Sequence, residues 1–363
     1  MKRVITIIAM TTSDCNFNCW YCYTRASRRS VKNWIEDDIE KIINNCSDGF
    51  SNVEFCWHGG EPLLLGKNFY QKVIYVQKSI THAKGTVFQN NIQTNGWLLN
   101  DLWLDFFQNN NFHIGLSLDA PLDVYKIHRK KDPSKLLNIC EKIKNRNLPL
   151  GVLCVVSKLN VGFPQEIFNF YKSLGVNSFG LLPLKNVPLV DSFLIPSNED
   201  LFGFYQKLFD LWMWTPNNFS CIEPFDTMLR LLLGEKCGNC SFTSPCLEKM
   251  ITIDQEGNVV PCSSLVSEDF ILGNILQESL VRILSNSKVE RFKKLKLQAI
   301  ENNCKDCVFL SICKGGCRAD AYWFSGLYEG KYPFCESRKL MFEHIQKQLE
   351  KILTNNQTKK VVN

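Results

Sequence analysis

A chain of 363 residues, 45% hydrophobic, can bury one large core or two, since domains run to ~100–200 residues. Its net charge of +6 is spread over short clusters such as Arg25–Arg29 and Arg291–Lys294, with no basic patch interleaved with aromatics to argue for nucleic acid. No apolar run approaches the ~20 residues of a membrane span. The first ten residues combine a basic start with an apolar stretch, as a signal peptide does. That stretch is only about seven residues long, is β-branched and runs into a cysteine loop, so it reads as a first strand in a cytoplasmic protein. Seventeen cysteines in a reducing compartment point to metal ligands and buried small hydrophobes rather than disulfides.

In chain order, strands are expected at Val4–Met10, Val53–Trp57, Val87–Thr94, His113–Leu118, Leu150–Val156 and Ser178–Leu182. Helices are expected between them at Glu36–Asn45, Asn68–Ile80, Asp101–Asn109, Ser134–Asn145 and Pro164–Leu174. Six β-α units imply right-handed crossovers and a parallel sheet. The pattern alone allows a partial barrel or an open doubly wound sheet; in both, ligands lie at the carboxyl ends of the strands. Glu199–Trp214 follows as an amphipathic helix, with Phe202, Tyr205, Leu208, Phe209 and Trp212 as packing positions. Phe225–Leu233 is another helix, stopped by Gly234. Gly257, in Asp254–Asn258, marks a hairpin turn. Residues 354–363 read as a frayed polar tail.

The most telling motif is Cys15-x3-Cys19-x2-Cys22, just after the first strand. Three thiolates at that spacing can hold three irons of a [4Fe–4S] cube, whereas ferredoxin-type clusters use four. The fourth iron is then open to a ligand. Gly59-Gly60-Glu61-Pro62, Gln93–Gly96 and Ser117-Leu118-Asp119 fall at the ends of later strands. The cysteine triplet with an aromatic residue before its third member (Tyr21), followed by Gly-Gly-Glu-Pro, resembles the radical S-adenosylmethionine (SAM) superfamily. That resemblance implies a partial (β/α)6 TIM-like barrel with SAM on the open iron. It assigns the adenine contact to the backbone at Tyr21 and the ammonium contact to Gly59, Gly60 and Glu61. Ser117, Asp119 and Arg129 become contacts to the ribose or carboxylate of SAM. The family's usual His four residues before the Arg is replaced by Tyr125, so the surrounding loop is altered; a solvated loop arginine is the competing reading.

From residue 235 the cysteines return: Cys240, Cys246, Cys262, then Cys304-x2-Cys307-x5-Cys313-x3-Cys317, and Cys335. This arrangement resembles the SPASM extension of radical SAM enzymes, a small C-terminal iron–sulfur domain with two auxiliary [4Fe–4S] clusters. By the family's arrangement, Cys240, Cys246, Cys262 and Cys317 hold the nearer cluster. Cys304, Cys307, Cys313 and Cys335 hold the distal one. Cys237 could stand in for Cys240, and structural zinc is the competing metal. Three [4Fe–4S] clusters and SAM are thus the expected cofactors. Expected domains are a barrel over 1–234, the auxiliary-cluster domain over 235–345, and a helix end and tail over 346–363. Cys46, Cys56, Cys140, Cys154, Cys221 and Cys237 remain outside the ligand sets, and the five His form no metal-binding spacing.

The family chemistry is reductive cleavage of SAM to a 5′-deoxyadenosyl radical, hydrogen abstraction from the substrate, and uptake of an electron by the auxiliary clusters. The expected substrate is a ribosomally made precursor peptide and the expected product a crosslink. Flavodoxin or ferredoxin is the expected electron donor. Many such maturases begin with a leader-binding domain and this chain opens on the first strand, so leader binding is expected elsewhere, on a separate leader-binding protein, or not at all. Sulfatase-maturing members carry Asp directly after the cysteine that here is Cys262; this chain has Ser263, which argues against formylglycine formation. A formylglycine-forming maturase, a small-molecule dehydrogenase acting on an amino sugar or alcohol, and a non-catalytic iron–sulfur electron carrier are the alternatives.

Overall fold

The structure is a computed structural model. It describes residues 3–26, 33–188, 190–216, 219–236, 238–242, 247 and 249–361, with side chains described up to Thr354. The first half alternates strand and helix. It runs β1 (Val4–Thr12), α1 (Tyr23–Ala26), α2 (Glu36–Ser47), β2 (Asn52–Gly59), α3 (Gly66–Lys84), β3 (Val87–Thr94), α4 (Asp101–Asn109) and β4 (Phe112–Ser117). It continues with α5 (Leu122–Arg129), α6 (Ser134–Asn145), β5 (Leu150–Val156), α7 (Pro164–Leu174), β6 (Ser178–Pro183), α8 (Asn198–Trp214), β7 (Cys221–Glu223) and α9 (Phe225–Leu232). Beyond it lie β8 (Met250–Ile253), β9 (Asn258–Val260), β10 (Gly273–Asn274), α10 (Leu280–Leu284), α11 (Ser287–Cys304), α12 (Leu310–Cys313), α13 (Arg318–Ser325) and α14 (Cys335–Val361).

Local chemistry sets the boundaries. Asn100 caps α4 by accepting from Trp103 N, and Ser197 with Asp200 forms a reciprocal capping box on α8. Three acidic residues, Glu36, Asp37 and Asp38, open α2, where the helix dipole favours them. Gly85 and Gly175 end α3 and α7 in left-handed conformation. The strands alternate buried and half-buried positions, so one side of each packs inward. Trp57, fully buried on β2, stacks on Phe55 at 5.0 Å and donates its indole N–H to Asn90.

Among the described residues the strands form one sheet in the order β10-β9-β8-β1-β2-β3-β4-β5-β6-β7. From β1 to β7 every pair is parallel and the order never reverses. A doubly wound sheet needs a reversal, its topological switch point. The unbroken order winds one way, as in the expected partial barrel. β8 adds in parallel to the free side of β1, and β9 and β10 continue antiparallel, so the C-terminal region is hydrogen-bonded into the barrel sheet.

Several expectations need correcting. Arg129 lies at the end of α5, not in a solvated loop. Gly257 does make the turn between β8 and β9, at φ +80°. α14 runs from Cys335 past residue 345 to Val361, so the tail read as frayed continues a helix that packs on α8 and α9. No helix among the described residues is long and apolar enough to cross a membrane.

Candidate functional site

β1 to β4 deliver the Cys loop, residues 59–62, residues 93–96 and residues 117–119 to one end of the sheet. Cys15 is exposed, Cys19 buried and Cys22 half-buried. Cys22 raises the cost of ionising Cys15, and Cys22 and Cys15 raise that of Cys19. Burial pushes Cys19 up to about 12, with Arg129 opposing. Asn95 Nδ2 lies 3.8 Å from Cys15 Sγ and donates to Asn16 Oδ1 at 2.7 Å. Asn95 sits in the singled-out 93–96 segment, but no role was expected for it.

Gly59 and Gly60 lie against backbone. Gly59 has φ +118°, and a Cβ there would stand 2.4 Å from Thr12 O. A Cβ on Gly60 would stand 2.0 Å from Asp14 O. Gly60 N donates to Thr12 O and Glu61 N to Asp14 O, so this turn straps the stem of the Cys loop. Gly59→Ala is expected to destabilise the chain by roughly 2–4 kcal/mol through clash and positive φ. Urea unfolding checks this, and an unchanged midpoint would refute the strap. Glu61 is buried. Its carboxylate accepts from Thr94 Oγ1 (2.7 Å), Asn95 N (2.9 Å) and Leu63 N (3.1 Å). Burial raises its pKa to about 7 against those donors. His58 Nδ1 accepts from Gly59 N at 2.7 Å, and burial lowers its pKa to about 4.

Asp119 is the most heavily bonded carboxylate of this end. It accepts from Tyr21 OH (2.7 Å), Arg129 Nε (3.0 Å) and Nη2 (3.3 Å), and Val155 N (2.8 Å), with His128 Nδ1 at 3.2 Å. His128 Nε2 lies 2.9 Å from Ser157 Oγ. Burial would raise the pKa of Asp119; the Arg129 guanidinium, His128 and the Val155 amide outweigh it and hold the carboxyl below its usual range. Tyr21, between Cys19 and Cys22, is thereby tied through its hydroxyl to the end of β4. Ser117 Oγ accepts from Gln93 Nε2 at 2.8 Å. Nothing but its place beside Arg129 marked His128 in the residue order. Tyr125 OH is buried with no hydrogen-bond partner among the described residues.

The later cysteines gather in two groups. Cys317, at the N-cap of α13, interacts with Cys262 and Cys240. Cys246 and Cys237 lie outside the described residues. This group borders the first one: Tyr23 feels both Cys22 and Cys262 and donates to Ser263 Oγ at 3.3 Å. Lys185, just past β6, pairs with Asp320 of α13 beside Cys317 and Cys262. Cys304, Cys307, Cys313 and Cys335 line a second cavity together with Phe309, Tyr332 and Arg338.

Both groups suit a body larger than a single ion. Tetrahedral zinc at ~2.3 Å from sulfur holds its thiolates ~3.8 Å apart. Among the described residues, only Cys221, Glu223 and Asp226 bring three possible ligand atoms within 4.8 Å of one another. Of the remaining cysteines, Cys46, Cys140 and Cys154 are fully buried, and Cys56 and Cys221 partly so.

Comparison with known proteins agrees with this geometry. Residues 10–170 match the radical SAM superfamily model, and residues 245–308 the SPASM model, an iron–sulfur cluster-binding domain. The first stretch is thus a radical SAM domain and the second a SPASM domain. The chain is therefore a radical SAM enzyme, a class that works with iron–sulfur clusters and SAM.

Among its relatives is a cysteine-type anaerobic sulfatase-maturating enzyme of Clostridium perfringens, 28% identical over 98% of this chain and 100% of the relative. A serine-type anaerobic sulfatase-maturating enzyme of Bacteroides thetaiotaomicron is also 28% identical, over 95% of this chain and 90% of the relative. The solved structure of native anSMEcpe with bound AdoMet and Cp18Cys peptide superposes with a TM-score of 0.83 at 25% identity, covering 97% of this chain and 99% of that one.

Proposed function

We propose that this chain is a maturase of the sulfatase-maturating type, oxidising a Ser or Cys side chain of a bound peptide to formylglycine. The observation that carries the reading is likeness along almost the whole chain to both serine-type and cysteine-type enzymes. It displaces the crosslinking of a ribosomal peptide expected from the sequence. Bound clusters and SAM supply the electron and the radical that removes a hydrogen atom from the side-chain carbon. On this reading Cys15, Cys19 and Cys22 hold the first cluster. Gly59, Gly60, Glu61 and Ser117 line the SAM site. Tyr21, Asp119 and Arg129 are bonded to one another and serve as its positioning frame. Cys240, Cys246, Cys262 and Cys317 hold the nearer auxiliary cluster. Cys304, Cys307, Cys313 and Cys335 hold the distal one. Residues 1–234 are the barrel unit and 235–345 the auxiliary-cluster unit. A flavodoxin or ferredoxin is the reductant.

The chain's own part is to orient the peptide and take the proton released as the carbon radical gives up its electron; Ser then ends as the aldehyde, and Cys as a thioaldehyde that water converts to the aldehyde with release of hydrogen sulfide. Tyr23 and Ser263 face one another between the first thiols and Cys262, so the peptide side chain belongs there. Ser263 is no carboxylate base, and this observation keeps crosslinking as the second reading. Lys185 and Asp320 supply the charged pair next to it.

The test is anaerobic incubation of the reconstituted enzyme with SAM, dithionite and peptides carrying Ser or Cys followed by x-Pro-x-Arg. Formylglycine formation is expected, read as an aldehyde captured by a hydrazine. Loss of two hydrogens without an aldehyde would favour the crosslink. SAM cleavage with no change to any peptide would overturn both.

A further inference from the structure

The two C-terminal cysteine groups differ in the charge around them. Cys262 and Cys317 sit beside Lys185 and Asp320, which neutralise one another. The cavity of Cys304, Cys307, Cys313 and Cys335 is flanked by Lys331, Arg338 and Lys339. Two of these cations share one exposed carboxylate, Glu336, at 3.1 Å from Lys331 and 3.7 Å from Lys339. Arg338 has no carboxylate partner among the described ion pairs.

Arg338 stands one turn into α14, three residues after Cys335. Its guanidinium is clamped between two rings, 4.1 Å from the centroid of Phe242 and 4.3 Å from that of Tyr332. Nη1 donates to Ser241 O at 3.1 Å and reaches Cys313 Sγ at 3.8 Å. Nη2 lies 3.1 Å from Tyr332 OH and 3.4 Å from Ser241 Oγ. The fork therefore has a fixed direction, and one prong points at a thiol. A guanidinium stays cationic in any protein setting.

Hydrogen bonds to the sulfurs and net local charge set the potential of an iron–sulfur cluster. A cluster gains one negative charge on reduction, and a charge-assisted N–H···S contact stabilises that form. We propose that Arg338, donating to Cys313, makes the distal quartet the higher-potential of the two auxiliary clusters and hence the end of the electron path. The proposal rests on the reading that Cys304, Cys307, Cys313 and Cys335 hold a cluster. Arg338 is a positioning and tuning residue; it has no part in bond breaking. With clusters in place, the Arg338 contact to Cys313 would make the distal quartet the favoured resting place of an electron released by the substrate.

The test is a dithionite titration of the full-length reconstituted protein, with reduced clusters followed by electron paramagnetic resonance. The signal lost in Cys335→Ala identifies the distal cluster. In the wild type that signal should be reduced first of the two auxiliary signals; if it is reduced last, the proposal fails. Arg338→Gln is expected to keep its iron. At a fixed poise the ratio of reduced to oxidised distal cluster should fall about tenfold, ~59 mV for a one-electron couple. The other signals should stay put. Arg338→Lys, which keeps the charge without the fork, should shift less. An unmoved distal midpoint in Arg338→Gln overturns the proposal. If Arg338→Gln loses the distal signal, Tyr332→Phe is read instead, with a smaller shift in the same direction expected and an unmoved midpoint overturning it. Should Cys335→Ala lose no iron, the cluster reading itself is wrong, a result that does not depend on Arg338.

Discussion

Replacing Cys15, Cys19 and Cys22 together with Ala is expected to abolish 5′-deoxyadenosine formation while leaving the fold intact. The three thiols meet at the mouth of β1, and Cys15 is open to solvent there. Only Cys19 is deeply buried among them, so the triple change should cost the iron-free chain about 1 kcal/mol. Burial favours the neutral thiol of Cys19. Cluster binding must then expel its proton, so loading should improve as pH rises. Iron per chain should fall from ~12 to ~8, since four irons belong to each cluster. Far-ultraviolet circular dichroism should not change. Full iron with SAM still cleaved would remove the first cluster from this loop.

Asp119→Asn carries the largest expected stability effect in the barrel. The carboxylate is fully buried and pairs with Arg129, itself buried. Removing the negative charge leaves the guanidinium uncompensated, a loss of roughly 3–5 kcal/mol. Tyr21 also loses its acceptor, and with it the tie between the Cys loop and β4. Urea unfolding of the iron-free chain measures the loss; a change below about 1 kcal/mol would refute the role. The pH dependence has a fixed sign. The folded-state pKa lies below the ordinary value of ~3.9, so the unfolded chain binds the proton more readily. The stabilisation is complete above the unfolded pKa and is lost as pH falls from there through the folded one. The wild type should therefore steepen in acid lability below about pH 4, and Asp119→Asn should lack that component.

Much of this was legible in residue order. β3, α4, β5, α6 and α7 fall on their expected limits, because alternation, N-caps and stop glycines act over a few residues. The grouping expected for the later thiols came from the SPASM resemblance and not from spacing, because Cys240, Cys262 and Cys317 lie far apart in the chain. α5 was missed because its eight residues, read as part of the loop around Arg129, are too few for the helical period to stand out. The Asp119 network was not legible beyond Asp119 and Arg129. Its donors come from positions 21, 128, 129 and 155, and a carboxylate reveals its partners only once strands β4 and β5 are side by side. Nor could the glycines' task be read. The sequence suggested room for a ligand, whereas the nearest atoms are Thr12 O and Asp14 O.

The parallel pairing of β1 with β8 has a consequence for how the chain is made. Ile7 must find Ile251. On a ribosome adding about 5–20 residues per second, β1 leaves the tunnel early and keeps one edge bare for roughly 12–50 s. Ile5 and Ile7 belong to the buried core, so the nascent chain carries a sticky, unpaired strand through most of its synthesis. A producing cell has to shelter that edge, and yield should respond to slower translation and to holdase chaperones more than to iron supply.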